Sequence, residues 1–391
     1  MKKVLILTRA FDGGGTETAM LSLVQALIKE EYQVKIMCIR KAGVLLEKFP
    51  KEICIEEIPF QNEFYRFVVN GKRVPTSSIK IAVFKLLKKI YMKRYPENGD
   101  KNMLYHKILK YTDCITEEFD LALDFYGYGG FATAYLAEKI AAKRKAVWIH
   151  DENIHWIGKI SEYFLHFQRI YCVSNAVKSA FVSQCPRYAE KAETFYNLTD
   201  IERIRERGRE PLSDSVYVGK FKILTVGRLV DQKGYDYAIE AARILRERQF
   251  EFTWFVIGDG EDKNQLKRMV DAYNLKSSFI FLGRKENPLP YMKNCDLYVQ
   301  PSRSEGYSTT VLEAKALQCI ILVSDIPSNR ELIKDGENGF LCKLNAESIA
   351  DRICEIKRNS ELIKSVQKNL SLEEMDFSSE VKKLEQLLKA E

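Results

Sequence analysis

The sequence predicts an α/β protein built from two doubly wound, parallel-sheet domains. Three observations carry this expectation. The chain has 391 residues, against roughly 100–200 per domain. Short apolar runs alternate with stretches of helical periodicity, the pattern of parallel strands buried on both faces and joined by crossover helices. That alternation stops in a charged interruption and then restarts. Hydrophobic residues make up 46% and charged residues 29% of the chain, so a sizeable core can form and the low-hydrophobicity signature of disorder is excluded.

In order along the chain, the first domain offers strands at Val4–Thr8, Val34–Ile39, Ile53–Ile58, Leu121–Phe125, Ala146–Ile149 and Ile170–Val173. Helical stretches such as Thr18–Ile28 and Phe131–Ile140 separate them. The interruption lies in Leu198–Gly219, where IERIRERGREPLSDS is charged, poor in apolar residues and carries a turn signal. The second domain repeats the pattern with strands at Lys222–Val226, Trp254–Ile257, Phe279–Leu282, Leu297–Gln300 and Ile320–Val323. The expected domains are residues 1–200 and 215–372. A last segment, 373–391, has helical periodicity over Phe377–Leu388 with no further strand, and is expected to cross back onto the first domain.

Several classes of protein are disfavoured. The apolar run Val4–Leu7 is cut short by Arg9 and Asp12, so it is no signal peptide, and no stretch approaches the roughly 18 apolar residues of a membrane span. The nine cysteines form no C-x-x-C pair and sit mostly in apolar runs, which suits free thiols in a reducing, cytoplasmic setting. No D-x-D, H-E-x-x-H or clustered Cys/His spacing occurs, so no metal is expected. A G-x-S-x-G elbow is also missing, which removes the serine hydrolase reading.

One stretch departs from the α/β alternation. Between Lys72 and Lys110 stand eleven Lys or Arg and two acids, Glu97 and Asp100, a local +9 against +7 for the whole chain. Within this basic helical segment, 72–110, residues 79–94 place Ile79, Val83, Leu86, Leu87 and Ile90 on one helical face and Lys85, Lys88, Lys89 and Lys93 on the other. Such a helix can lie on an anionic membrane surface. It can equally be a surface helix packed through its apolar face with the lysines in water. Nucleic acid is not expected, because no recognition motif accompanies the charge.

The chemistry concentrates in SRSEGYSTTVLE, Ser302–Glu313, which follows the strand DLYVQP and leads into a helix. If the whole run were helical, Glu305 and Glu313 would stand on the order of 12 Å apart along the axis, suited to separated hydroxyl groups of one long ligand. Between them the expected helix start, Gly306, Tyr307, Ser308 and Thr309, offers unpaired N–H groups and a positive dipole end to a phosphate. Carboxylate, phosphate platform, carboxylate is the order of groups that a nucleotide diphosphate sugar requires. Upstream, Gly227 and Arg228 end the first strand of the second domain and Lys233 follows; both cations fall at the carboxyl edge of the sheet, where they could clamp a diphosphate or merely cap a loop. In the first domain, Gly13, Gly14, Gly15 and Thr16 link strand to helix, a turn that lets backbone approach an anion but matches neither the dinucleotide fingerprint nor the P-loop. His150 ends the strand AVWIH, where it could face a ligand or sit as an ordinary loop histidine.

Over residues 221–345 these motifs, VGRLVDQKG, VIGDG, FLGRKENPLPYMKNCDLYVQPSRSEGYSTTVLEAKAL and ENGFL, resemble retaining glycosyltransferases of family 4, including those of bacterial cell-surface polysaccharide assembly. GGGTE, IHD at 149–151, VSNAVKSAF and YNLTD extend the resemblance more loosely into the first half. It implies the GT-B fold, two Rossmann-like domains facing across a cleft, the first binding the acceptor and the second the nucleotide sugar. By the same resemblance, Glu313 holds the ribose hydroxyls, Glu305 faces the transferred sugar, and Arg228 and Lys233 stabilise the diphosphate leaving group. Gly14 and Gly15 look like the loop over the phosphates, His150 like the histidine beside the reacting centre, and Arg284 like a residue near the base. Ser308 stands where many relatives have glycine or proline, a departure that bears on the sugar pocket.

The function so implied is transfer of a hexose, with retention, from a nucleotide sugar, UDP-linked, to a glycan or lipid-linked acceptor, without metal or other cofactor, peripherally at the inner face of the cell membrane. Two rivals share the fold: a sugar-nucleotide epimerase or similar GT-B enzyme, and a non-catalytic partner or chaperone subunit of a glycosyltransferase pair. The retained Arg228, Lys233, Glu305 and Glu313 weigh against the second.

Overall fold

Each apolar run becomes a strand, and those at the centre of the sheets are buried on both faces. A computed structural model describes residues 1–389 apart from 71–76, 95–100, 128–129 and 213. Lys72, Arg73, Glu97 and Asp100 of the basic segment therefore lie outside the described residues. The first sheet comprises β1 (Lys3–Thr8), β2 (Gln33–Cys38), β3 (Cys54–Glu57), β4 (Ile115–Asp124), β5 (Ile140–Ile149), β6 (Arg169–Cys172) and β7 (Ala192–Thr194). They lie in the order β3-β2-β1-β4-β5-β6-β7, every pairing parallel, with Val4 opposite Val34 on one side and Leu121 on the other.

The second sheet repeats the plan with β8 (Lys222–Val226), β9 (Thr253–Ile257), β10 (Phe279–Gly283), β11 (Leu297–Gln300), β12 (Ile321–Ser324) and β13 (Phe340–Cys342). Its order is β10-β9-β8-β11-β12-β13, again all parallel, with Ile223 between Trp254 and Leu297. Trp254, Leu297, Leu322 and Phe340 join Ile239, Leu245, Ile349 and Ile353 of the covering helices in one apolar core. In such open sheets the direction of winding reverses once, and ligands bind outside the carboxyl ends of the two strands at that point. Here those strands are β1 and β4 in the first sheet, β8 and β11 in the second.

The chain divides into two units: Met1–Leu198 with Phe377–Glu391, and Thr199–Asp376. The charged interruption is thus part of the second unit. IERIRERG forms helix Ile201–Gly208, capped by Asp200, whose side chain accepts from the Arg203 N–H. Ile204 is buried and Arg205 reaches the Ala316 carbonyl at 3.3 Å. The last helix, Ser378–Lys389, belongs to the first unit: Glu380 accepts from the Tyr196 N–H at 2.9 Å, Lys383 donates to the Thr194 carbonyl at 2.6 Å, and Leu384 and Leu387 are buried. Two three-residue strands, β7 and β13, add to those expected from sequence, one on each sheet edge. β4 and β5 also begin earlier than their apolar runs, because their first halves carry charged residues, Glu117 and Lys143 among them, that pair across the surface.

Candidate functional site

At the switch point of the second sheet, two loops are fastened to each other residue by residue. After β8 the chain makes a tight turn, Asp231–Lys233, ended by Gly234 at φ +63° before helix Tyr235–Glu247 begins. Only glycine fits there, since a Cβ would sit 1.9 Å from the Pro301 carbonyl oxygen. The loop after β11 runs alongside. Arg303 grips Asp236 through two hydrogen bonds of 2.8 and 2.6 Å, Gln232 donates to the Ser304 carbonyl at 3.0 Å, and Lys233 Nζ lies 2.6 Å from Glu305 Oε1. Three consecutive positions, 303 to 305, are therefore anchored to the β8 loop.

Glu305 is 6% exposed, and its carboxylate also accepts from Gln300 Nε2 at 2.8 Å. Gln300, the last residue of β11, uses all four of its hydrogen-bonding positions. Its amide nitrogen donates to Glu305 and to Ser308 Oγ, and its oxygen accepts from Tyr298 and Thr310 at 2.9 and 2.6 Å. A carboxylate only accepts, so the nitrogen must face Glu305 and the amide orientation is determined. Sequence reasoning missed Gln300; its one signal is an amide where an apolar residue would continue the buried run LYVQ.

Helix Thr309–Ala316 starts at this point with Ser308 as N-cap, its hydroxyl accepting from the Val311 N–H. Gly306 is buried and Tyr307 half-buried just before it. Because the helix begins only at Thr309, Glu305 lies in the preceding loop, and the helical spacing expected for Glu305 and Glu313 does not apply. Glu313 sits within the helix, half-buried, and burial pushes its carboxyl up to about 7 against the weaker pull of Arg207.

The two expected clamp cations differ in state. Lys233 is largely buried and ion-paired, and a Cβ on Gly227 would lie 3.7 Å from its methylenes, so the lysine stem runs beside the end of β8. Arg228 is exposed and makes no ion pair among the described residues. Arg284 is exposed after β10, two strands from β8, or roughly 10 Å along the sheet.

The first unit has its own switch point. Gly14 caps helix Gly15–Lys29, and Glu17 accepts the Gly14 N–H at 2.9 Å. The glycine turn expected to meet an anion thus already holds a carboxylate of its own helix, and Gly13 is the residue with positive φ, +92°. His150 follows β5, buried, with Nε2 2.5 Å from the Phe125 carbonyl and its ring beside Phe125. A carbonyl only accepts, so Nε2 carries the proton. Burial lowers its pKa to about 4, and the imidazole is neutral at pH 7. Asp124, which sequence reasoning also missed, ends β4 fully buried; burial raises it to about 6 although Thr133 donates to it at 2.5 Å and the Gly127 N–H at 3.2 Å.

Comparison with known proteins matches the segment that builds the second-sheet site. The family model described as glycosyl transferases group 1 covers residues 211–371. The sequence is 32% identical over 160 residues to the Campylobacter jejuni N-acetylgalactosamine-N,N'-diacetylbacillosaminyl-diphospho-undecaprenol 4-alpha-N-acetylgalactosaminyltransferase, 41% of this chain and 42% of that one. It is 30% identical over 184 residues to the Escherichia coli UDP-Gal:alpha-D-GlcNAc-diphosphoundecaprenol alpha-1,3-galactosyltransferase, 45% of this chain and 48% of that one. The chain therefore spans less than half the length of these curated relatives. Among solved structures, Anabaena HepE in complex with UDP-glucose superposes with a TM-score of 0.73 at 16% identity, and Staphylococcus aureus TarM, in a complex containing UDP, with 0.70 at 15%; both cover 100% of each chain. The fold is that of these proteins, GT-B, with a Rossmann-like sheet in each unit.

Proposed function

We propose that this chain is a retaining glycosyltransferase of family 4 that moves a hexose from a UDP-sugar to a lipid-linked glycan acceptor at the inner face of the cell membrane, in cell-surface polysaccharide synthesis. The observation that carries the reading is the Lys233–Glu305 pair, held by Gln300 beside the Ser308-capped helix N-terminus, at the switch point of the sheet whose segment matches the glycosyl transferase family. The lipid-linked acceptor is drawn from the relatives' diphospho-undecaprenol substrates, and UDP from the solved neighbours.

The donor's diphosphate would lie against the Thr309 helix start, with Arg228 and Lys233 on its oxygens, Glu313 accepting from ribose hydroxyls and Arg284 toward the base. Glu305 would accept from a sugar hydroxyl. As the anomeric C–O bond to phosphate breaks, negative charge grows on the diphosphate, where fixed cations and backbone N–H groups lower the barrier. The acceptor oxygen bonds to the anomeric carbon on the same face, and its proton passes to the departing phosphate oxygen. No metal is needed when two cations supply the charge. In the first unit, the Gly14–Gly15 turn is assigned to the donor phosphates and the acceptor, and neutral His150 to the reacting centre.

The deciding experiment is a thermal-shift and hydrolysis screen against UDP-, GDP-, ADP- and CMP-sugars, with and without EDTA. Selective stabilisation by a UDP-sugar with slow, EDTA-insensitive release of free sugar supports the proposal. Stabilisation by none of them overturns it, and a strict metal requirement removes the role given to Arg228 and Lys233.

A further inference from the structure

Helix Ser78–Arg94 packs on the first unit through the face opposite to the one its sequence advertises. The side chains turned inward are Ile81, Phe84, Lys88 and Met92: Phe84 stacks edge-on to Phe64 and contacts Phe67, and Lys88 donates to the Val68 carbonyl at 3.3 Å. Ile79, Val83, Leu86, Leu87 and Ile90 are all exposed, Ile79 by 78%, Leu86 by 61% and Ile90 by 59%. At about 3.6 residues per turn these five fall within an arc of about 100°, roughly 160° from the packed face, in a stripe about 16 Å long. Isolated exposed apolar residues need no explanation, whereas a contiguous stripe on one helix does.

The charges beside the stripe name what covers it. Lys85, Lys89 and Lys93 are exposed along one flank and make no ion pair among the described residues; Lys80, on the other, pairs with Glu63. The helix sequence SIKIAVFKLLKKIYMKR contains no acid. A second copy laid on this face would bring lysine against lysine. An anionic lipid surface takes up the apolar stripe at the headgroup boundary and neutralises the flank together.

We propose that the outward stripe Ile79–Val83–Leu86–Leu87–Ile90, flanked by Lys85, Lys89 and Lys93, is an in-plane docking surface for an anionic lipid bilayer. This gives the membrane location proposed above a specific surface; it stands on the helix alone and does not depend on the donor site.

The test is co-sedimentation of the full chain with phosphatidylcholine vesicles and with vesicles containing phosphatidylglycerol. The wild type binds only the second, and a Leu87→Trp variant shows a blue-shifted emission on binding. Leu86→Ser with Ile90→Ser weakens binding at least tenfold without lowering Tm or nucleotide affinity. Replacing Lys85, Lys89 and Lys93 by Gln weakens it on the order of a hundredfold, about fivefold per lysine. No binding, or equal binding to both vesicles, overturns the proposal. So does a dimer in sedimentation velocity that Leu86→Ser with Ile90→Ser dissolves, which would assign the stripe to a second copy. Vesicle binding without turnover would leave this surface standing and refute the glycosyltransferase reading; turnover on a soluble acceptor without vesicle binding would do the reverse.

Discussion

The loops after β8 and β11 and the helix Ser78–Arg94 treat their side chains in opposite ways. In the loops, polar groups are drawn in and paired: Gln300 with Glu305, Ser308, Tyr298 and Thr310, and half-buried Arg303 with Asp236; of the buried side chains here, only the Ser302 hydroxyl lacks a partner among the described residues. On the outward face of the helix, apolar groups are exposed. Buried polar groups are expensive to leave unpaired, so the loop has one arrangement available to it. Apolar groups in water impose no geometry and wait for a surface of matching chemistry. The first pattern builds a site for a ligand of defined shape, and the second builds contact with something soft and extended.

Breaking the loop network should give the largest effects. Lys233→Ala leaves a buried carboxylate without its cation and removes a charge from the proposed leaving-group site; donor hydrolysis should fall about 100- to 1,000-fold. Glu305→Ala should lose comparable activity, and both should lower Tm. If neither changes turnover, the site lies elsewhere. Gln300→Leu keeps the volume but frees Glu305 and Ser308; unfolding free energy should drop by about 1–3 kcal/mol. Its kcat should fall more than its affinity for UDP, which a purely structural role would not produce.

The pH dependence of Glu313 sharpens the contrast at smaller scale. Its folded pKa, about 7, lies above the ordinary carboxyl value of 4.5, so the folded state holds the extra proton between those limits and stability falls as pH rises from 4.5 to 7. Glu313→Gln should raise Tm by roughly a few degrees at pH 8 and leave it unchanged below pH 4.5. UDP affinity in the wild type should decline as pH drops below 7, and Glu313→Gln should abolish that dependence. A flat wild-type profile would remove Glu313 from the ribose. The smallest effects belong to the helix: Phe84→Ala should destabilise, while Leu86→Ser should move unfolding free energy by no more than about 0.5 kcal/mol. The reverse order would mean the stripe packs inward.

The sheet interiors were legible because burial on both faces leaves an unbroken apolar run: β8 and β11 occupy the residues read from sequence, β1 differs by a residue at one end, and β2 and β12 by a residue at each end. β7, the run Ala-Glu-Thr, has no such signal, since an edge strand of three residues is covered on one side only. In the loops, sequence pattern singled out Lys233 and Glu305, which the structure brings together, and expected the helix start between Glu305 and Glu313, but measured their separation as though the whole run were helical. A carboxylate eight positions before another reads as helical until Ser308 is seen to cap the helix behind it. Gln300 gave only a faint signal because its role is defined by partners on its own strand, on the loop that follows and on the helix Thr309–Ala316. The Ser78–Arg94 helix misled for a different reason. It carries apolar residues on two faces, and periodicity alone does not say which one finds Phe64 and Phe67.

Helix Ser378–Lys389 has a consequence in time. It completes the edge of the first sheet, supplying the Glu380 carboxylate to Tyr196 and the Lys383 ammonium to Thr194. On the ribosome those two groups are exposed while every residue of the second unit is still being added, on the order of 10–35 s at usual rates of synthesis. The second unit, contiguous from Thr199 to Asp376, can close as soon as it emerges. The unit that is translated first is thus the last to be finished, and its sheet edge beside β7 is the part of the nascent chain most in need of protection.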